Sequence, residues 1–207
     1  IIDLKDPSKG ALGRLDKDDI EIIVNFVNKK KITSSTVGDL PNDEKLISKN
    51  VKEISETNVD FIKIGVYEND YIKTLSNIKS CKKLIAVFFA DKFLPTIEEI
   101  RILKKSGFRG IMIDTSNKNS GNLFNHVTYS DVNNFLSIAK NMDLLTGIAG
   151  SINMSHINEI IELNPNYMGF RGALCENTSV RSSKISAVNV NNIINLVNKF
   201  KNISVSA

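Results

Sequence analysis

Seven short apolar runs, each about one strand-plus-helix unit after the last, constrain this chain more than any other feature. They are IIDLK (1–5), KITSSTV (31–37), VDFIKIG (59–65), LIAVFF (84–89), GIMID (110–114), LLTGIA (144–149) and YMGFRG (167–172). Amphipathic stretches separate them. Ile20, Ile23, Val24 and Val27 share one helical face, as do Leu46, Ile47, Val51 and Ile54 after a candidate cap at Asn42. Pro95 suits a first helical turn before Ile97, Ile100 and Leu103, and Gly107 closes that segment. Ser130 is a candidate cap for Val132, Phe135, Leu136 and Ala139. Ile157, Ile160 and Ile161 form a shorter stripe, and Ile193, Ile194 and Val197 the last. Strands alternating with helices in this way require a parallel sheet with crossover connections.

The unit count selects the architecture. A (β/α)8 TIM barrel of roughly 250 residues has about 30 residues per unit, so seven units need about 210. The chain has 207 residues. A doubly wound sheet is the alternative, but no GxGxxG or P-loop follows an early strand. An open seven-stranded sheet would also leave two unprotected edges. The expectation is a single barrel domain over residues 1–207, lacking the first βα unit of the fold.

Composition narrows the function. The net charge of +4 is spread along the chain without a basic block, which argues against a nucleic-acid partner. No apolar run approaches the roughly 18 residues of a membrane span. Cys81 and Cys175 have no CxxC spacing, and His126 and His156 have no metal-ligand spacing. Neither a metal nor a disulfide framework is expected, and a reducing cytoplasm is.

In such barrels chemistry is built at the C-terminal strand ends. Asp3 and Lys5 lie there on one face of the first strand, since side chains alternate. Lys63 sits inside VDFIKIG between Ile62 and Ile64. Asp39 and Asp91 follow the second and fourth runs, and Asp114 ends the fifth. One such lysine could snorkel to water. Lys5, Lys63 and Arg171 at matching places in different strands, with Asp3 and Asp114 nearby, fit that explanation poorly. A lysine nucleophile near neutral pH needs desolvation or a neighbouring cation. Lys5 is therefore the candidate imine former, Lys63 its neighbouring cation, and Asp3 and Asp114 candidate proton carriers.

The last two strand ends suggest a phosphate site. Gly150 and Ser151 follow one, and Arg171 and Gly172 end the other. Amides in small-residue loops at that place in a barrel commonly hold phosphate, with arginine as a charged donor. Cys175 reads as a packed thiol, His126 as a solvated loop residue and His156 as part of a first helical turn.

The segments IIDLKDPSKGALG, SSTVGDLP, VDFIKIGVY, MIDTSNK with GNLFNH, GIAGS and GFRGALC resemble one family, in order through nearly the whole chain. It is the (5-formylfuran-3-yl)methyl phosphate synthase family of methanofuran biosynthesis. The resemblance implies a (β/α)8 barrel and cofactor-free lyase chemistry. Two glyceraldehyde 3-phosphate molecules condense to a furan aldehyde phosphate, losing one phosphate and two waters. It implies that Lys5 is the Schiff-base lysine with Asp3 beside it, and gives Lys63, Asp114 and Lys118 active-site roles. It leaves open a homo-oligomer. The segment ENTSVRSSKIS departs from the family's glycine-rich, basic character, so Arg181 is not assigned to phosphate. Two other readings remain: another aldolase-like barrel acting on sugar phosphates, and a sugar-phosphate binder without chemistry.

Overall fold

In a computed structural model, which describes residues 1–117, 119–180 and 182–205, the chain forms one parallel sheet of seven strands. The strands are β1 (Ile2–Leu4), β2 (Thr33–Thr36), β3 (Phe61–Val66), β4 (Lys83–Phe89), β5 (Gly110–Asp114), β6 (Leu145–Ile148) and β7 (Tyr167–Met168), adjacent in sequence order. The crossover helices are α1 (Lys17–Val27), α2 (Glu44–Ser55), α3 (Tyr71–Asn77), α4 (Ile97–Lys105), α5 (Tyr129–Asn141) and α6 (Ile157–Glu162), with α7 (Ala187–Val205) last. These are seven staves of a (β/α)8 barrel. The eighth position, between β7 and β1, is open. A groove of about 730 Å³ runs along it, lined by Ile1, Met168, Phe170, Ile194 and Val197 among others.

Alternation along the strands divides the apolar residues into two layers. Ile62, Ile64 and Val66 of β3 and Leu84, Ala86 and Phe88 of β4 face outward and join the buried helix residues in the larger cluster. Phe61, Ile85, Val87, Phe89 and Met112 face inward and fill the barrel lumen with Ala149. The helices bury the stripes expected of them, including Ile20, Val24, Val51, Ile54, Leu103, Val132 and Leu136. Ile97 is 50% exposed because it opens α4, and Ile194 is 50% exposed beside the open groove.

Helix starts differ from the sequence expectation by a residue or two, in each case toward a better hydrogen-bonding cap. Asp43, not Asn42, caps α2 by accepting from the Leu46 amide at 3.0 Å. Thr96 and Glu99 form a reciprocal capping box, which leaves Pro95 outside α4. Thr128 and Asp131 do the same for α5, so Ser130 lies within the first turn. A reciprocal pair satisfies two amides where a lone serine satisfies one. Gly107 does end its segment, at φ +96°, where a side chain would be strained. The short helix α3 carries no stripe long enough to stand out in the sequence.

No helix among the described residues is long and apolar enough to cross a membrane.

Candidate active site

Three neighbouring strands turn polar side chains into the lumen. Asp3 of β1 is paired in register with Ser34 of β2, and the Ser34 hydroxyl donates to Asp3 Oδ1 at 2.6 Å. Lys63 of β3 reaches the same carboxylate oxygen at 2.9 Å. The Lys63 side chain is only 8% exposed, whereas that of Asp3 keeps 30% because β1 is an edge strand. The Lys63 ammonium also lies 5.9 Å from the centroid of the Tyr167 ring, which crosses from β7. Burial alone would raise the Asp3 pKa. The charges of Lys63 and then Lys5, with the Ser34 hydrogen bond, outweigh it and hold the carboxyl below the usual range. Lys63 is therefore a counter-ion to Asp3.

Lys5 follows β1 on the same face as Asp3, half-buried, and its ammonium donates to the Ala11 carbonyl at 3.1 Å. The loop bringing that carbonyl turns back over the barrel mouth, and Ala11 and Leu12 join the lumen cluster. Thr36 donates to the Leu12 carbonyl at 2.9 Å, and Asp39 accepts from the Leu12 amide at 3.0 Å. Asp39 also accepts from the Tyr67 hydroxyl, and the Tyr67 ring stacks on Phe89 with centroids 4.8 Å apart. Burial first, then Asp39, pushes the Tyr67 pKa well up, so the phenol stays protonated and acts as a hydrogen-bond donor to Asp39.

Asp114 ends β5 and is buried, with one carboxylate oxygen accepting from the Thr115 amide at 2.7 Å. Its charge is felt at Tyr67. Asp91 braces the loop after β5 by accepting from the Ser116 amide and hydroxyl, both at 2.6 Å, and from the Asn117 amide at 2.9 Å. Lys118, next in that loop, lies outside the described residues, as does Arg181.

Just after β6, Gly150 and Ser151 both adopt positive φ, +110° and +50°. A Cβ on Gly150 would come within 3.1 Å of Thr115 Cγ2, so both conformation and space call for glycine. The Gly150 carbonyl accepts from the Leu123 amide at 2.9 Å, joining this turn to the loop after β5. Gly172 opens the short 3-10 turn Gly172–Leu174. The Arg171 guanidinium is directed at the Cys175 sulfur and the Ser183 carbonyl, two contacts that tie it to its own following segment. Cys175 is fully buried, a packed thiol as its sequence context suggested. His126 meets the Ser120 hydroxyl at 3.1 Å, and His156 accepts from the Asn153 amide just before α6. Among the described residues no group of three or more His, Cys, Asp or Glu side chains could hold a metal ion.

The sequence model of the family described as 4-HFC-P synthase matches residues 1–194. The chain belongs to that family. A (5-formylfuran-3-yl)methyl phosphate synthase of Archaeoglobus fulgidus is 29% identical over 201 residues, covering 89% of this chain and 85% of its own. A Methylorubrum extorquens relative, to which the same activity is assigned provisionally, is 33% identical over 184 residues, covering 88% and 77%. Solved structures agree on the fold. CutC of Streptococcus agalactiae superposes with a TM-score of 0.64 at 14% identity over 80% of this chain and 85% of its own. The 3-hexulose-6-phosphate synthase of Salmonella typhimurium gives 0.58 at 11% over 89% and 81%.

Within this member of the 4-HFC-P synthase family, three lumen residues escaped the sequence reading. Ser34 sits in TSST, a strand of small hydroxyl residues that is wholly buried, and a buried polar strand is itself unusual. Tyr67 lies just past β3. Tyr167 opens β7, and its ring occupies the space a Gly147 side chain would take, with an added Cβ only 2.3 Å from Cζ. Its hydroxyl is buried without a hydrogen-bond partner among the described residues, and burial pushes its pKa up.

Proposed function

We propose that this protein condenses two glyceraldehyde 3-phosphate molecules to (5-formylfuran-3-yl)methyl phosphate through a Schiff base on Lys5. The observation that carries the reading is the Asp3–Lys63 pair at 2.9 Å, set in the lumen on the same face of β1 as Lys5, in a chain of the 4-HFC-P synthase family. The Lys5 amine adds to the aldehyde carbon of one triose phosphate, and loss of water gives the iminium. Removal of the α-proton then gives an enamine, which attacks the second triose before ring closure and loss of phosphate. Two trioses lose one phosphate and two waters in all, which balances the furan product. No external oxidant or reductant is needed.

Asp3 and Asp114 are the proton carriers in this scheme, one beside Lys5 and one on the end of β5. Lys63 and Lys118 steady anionic oxygens and the departing phosphate. The turn at Gly150 and Ser151 and the Arg171–Gly172 end hold the retained phosphate, the usual use of these barrel positions. A structural relative named as a 3-hexulose-6-phosphate synthase fits the sugar-phosphate class of substrate.

The test is incubation of the purified protein with glyceraldehyde 3-phosphate alone, recording near-ultraviolet absorbance and released phosphate. A furan-aldehyde band with one phosphate per two trioses is expected. Borohydride should trap an adduct on Lys5, and Lys5→Ala should abolish both adduct and band. An adduct mapped to another lysine would refute the assignment. A reversible aldol product without the band would point to other aldolase chemistry, and phosphate binding without an adduct to a binding role.

A further inference from the structure

The loop after β1 does more than connect it to α1. It folds back so that Ala11 and Leu12 are buried against lumen residues of β4 and β5, and its Ala11 carbonyl is a hydrogen-bond partner of the Lys5 ammonium at 3.1 Å. Whatever fixes this loop thus bears on where the Lys5 nitrogen points. The Leu12 peptide is held from both sides: Thr36 donates to its carbonyl at 2.9 Å and Asp39 accepts from its amide at 3.0 Å. Asp39 is anchored in turn by the Tyr67 hydroxyl, whose ring is stacked on Phe89. Gly10, at φ +104°, completes the fit, because a Cβ there would fall 2.0 Å from Asp39 Oδ2. Three loops, after β1, β2 and β3, therefore meet at one carboxylate.

We propose that Asp39 is a positioning residue for Lys5, acting through its hydrogen bond to the Leu12 amide and so through the adjoining Ala11 carbonyl. Asp39 lies at the exposed rim, and its two hydrogen-bond partners are a neutral amide and a neutral phenol. That surrounding suits a pin better than a proton carrier. Near-attack geometry is sensitive on this scale, since a displacement of about 1 Å can cost roughly a hundredfold in rate. The inference rests on Lys5 being the imine-forming lysine and adds to it the device that aims the amine.

The experiment measures the rate of borohydride-trapped adduct at Lys5 with glyceraldehyde 3-phosphate across pH, alongside the circular-dichroism melt. Asp39→Ala should slow trapping by about tenfold or more with the pH profile unshifted. Asp39→Asn, which keeps an acceptor for the Leu12 amide, should recover to within about threefold of the parent. Gly10→Ala, which pushes the carboxylate aside without deleting it, should act like Asp39→Ala and decides the matter if that variant fails to fold. Trapping by Asp39→Ala at the parent rate would overturn the proposal. So would Asp39→Asn as slow as Asp39→Ala with a displaced pH profile, which would make Asp39 a proton carrier. Absence of an adduct at Lys5 in the parent would overturn the proposed function itself, and this inference with it.

Discussion

The two halves of the lumen are built on opposite principles. On β4 to β6 the inward positions include Ile85, Val87, Phe89 and Met112, with Leu145 partly buried and Ala149 just beyond the strand, an apolar wall that carries a charge only at the end of β5, in Asp114. On β1 to β3 they include Asp3, Ser34, Thr36 and Lys63, joined by hydrogen bonds and an ion pair. The apolar half holds the barrel together by removing surface from water. It also supplies the poorly solvated neighbourhood in which the charges of the other half act strongly on one another. Apart from Asp114 at the end of β5, the charged side chains of the strands' inward face and its apolar wall thus occupy different staves of one sheet.

If that division is right, the largest loss of stability comes from the apolar wall. Phe89→Ala removes a fully buried ring stacked on Tyr67 and should cost about 3–5 kcal/mol, read from urea unfolding. Lys63→Met tests the polar half. Breaking a buried pair by removing one partner costs about 3–5 kcal/mol, and the partial exposure of Asp3 reduces the expectation to about 1–3. A loss as large as that of Phe89→Ala would break the comparison.

The same pair gives a sign for pH. Asp3 is held below its ordinary value of 3.8, so its contribution is complete above that value and is lost as pH falls through the lowered one. The parent should therefore lose stability on acidification below about pH 4, and Lys63→Met should lose less over the same window. The smallest effect belongs where the halves meet. Tyr167→Phe deletes a buried hydroxyl that has no partner among the described residues, so stability should stay within about 1 kcal/mol of the parent or rise slightly. A larger loss in thermal melts would show that the hydroxyl is bonded in solution and belongs to the polar half.

Much of this was legible beforehand because it follows from local periodicity. The strand runs, most helical stripes and the inward face of Asp3, Lys5 and Lys63 need only a period of two in strands and 3.6 in helices. Helix starts were less legible. Asn42, Pro95 and Ser130 are reasonable signals, but Asp43, Thr96 and Thr128 make the better-satisfied caps, a choice that depends on bond geometry. Arg171 shows the same limit. Its place in the strand end is readable, whereas its turn toward Cys175 and Ser183 depends on how the segment beyond it folds back.

The amino-acid sequence by itself determined the βα alternation, the unit count, the family and the inward face of Asp3 and Lys63. Only the tertiary structure decided their partners: that Lys63 meets Asp3 across an intervening strand, that Tyr167 lies over Gly147, and that Asp39 holds the loop reaching Lys5. The physical reason is curvature. A strand's period fixes the face a side chain takes, but the closing twist of the barrel sets which faces converge and at what depth.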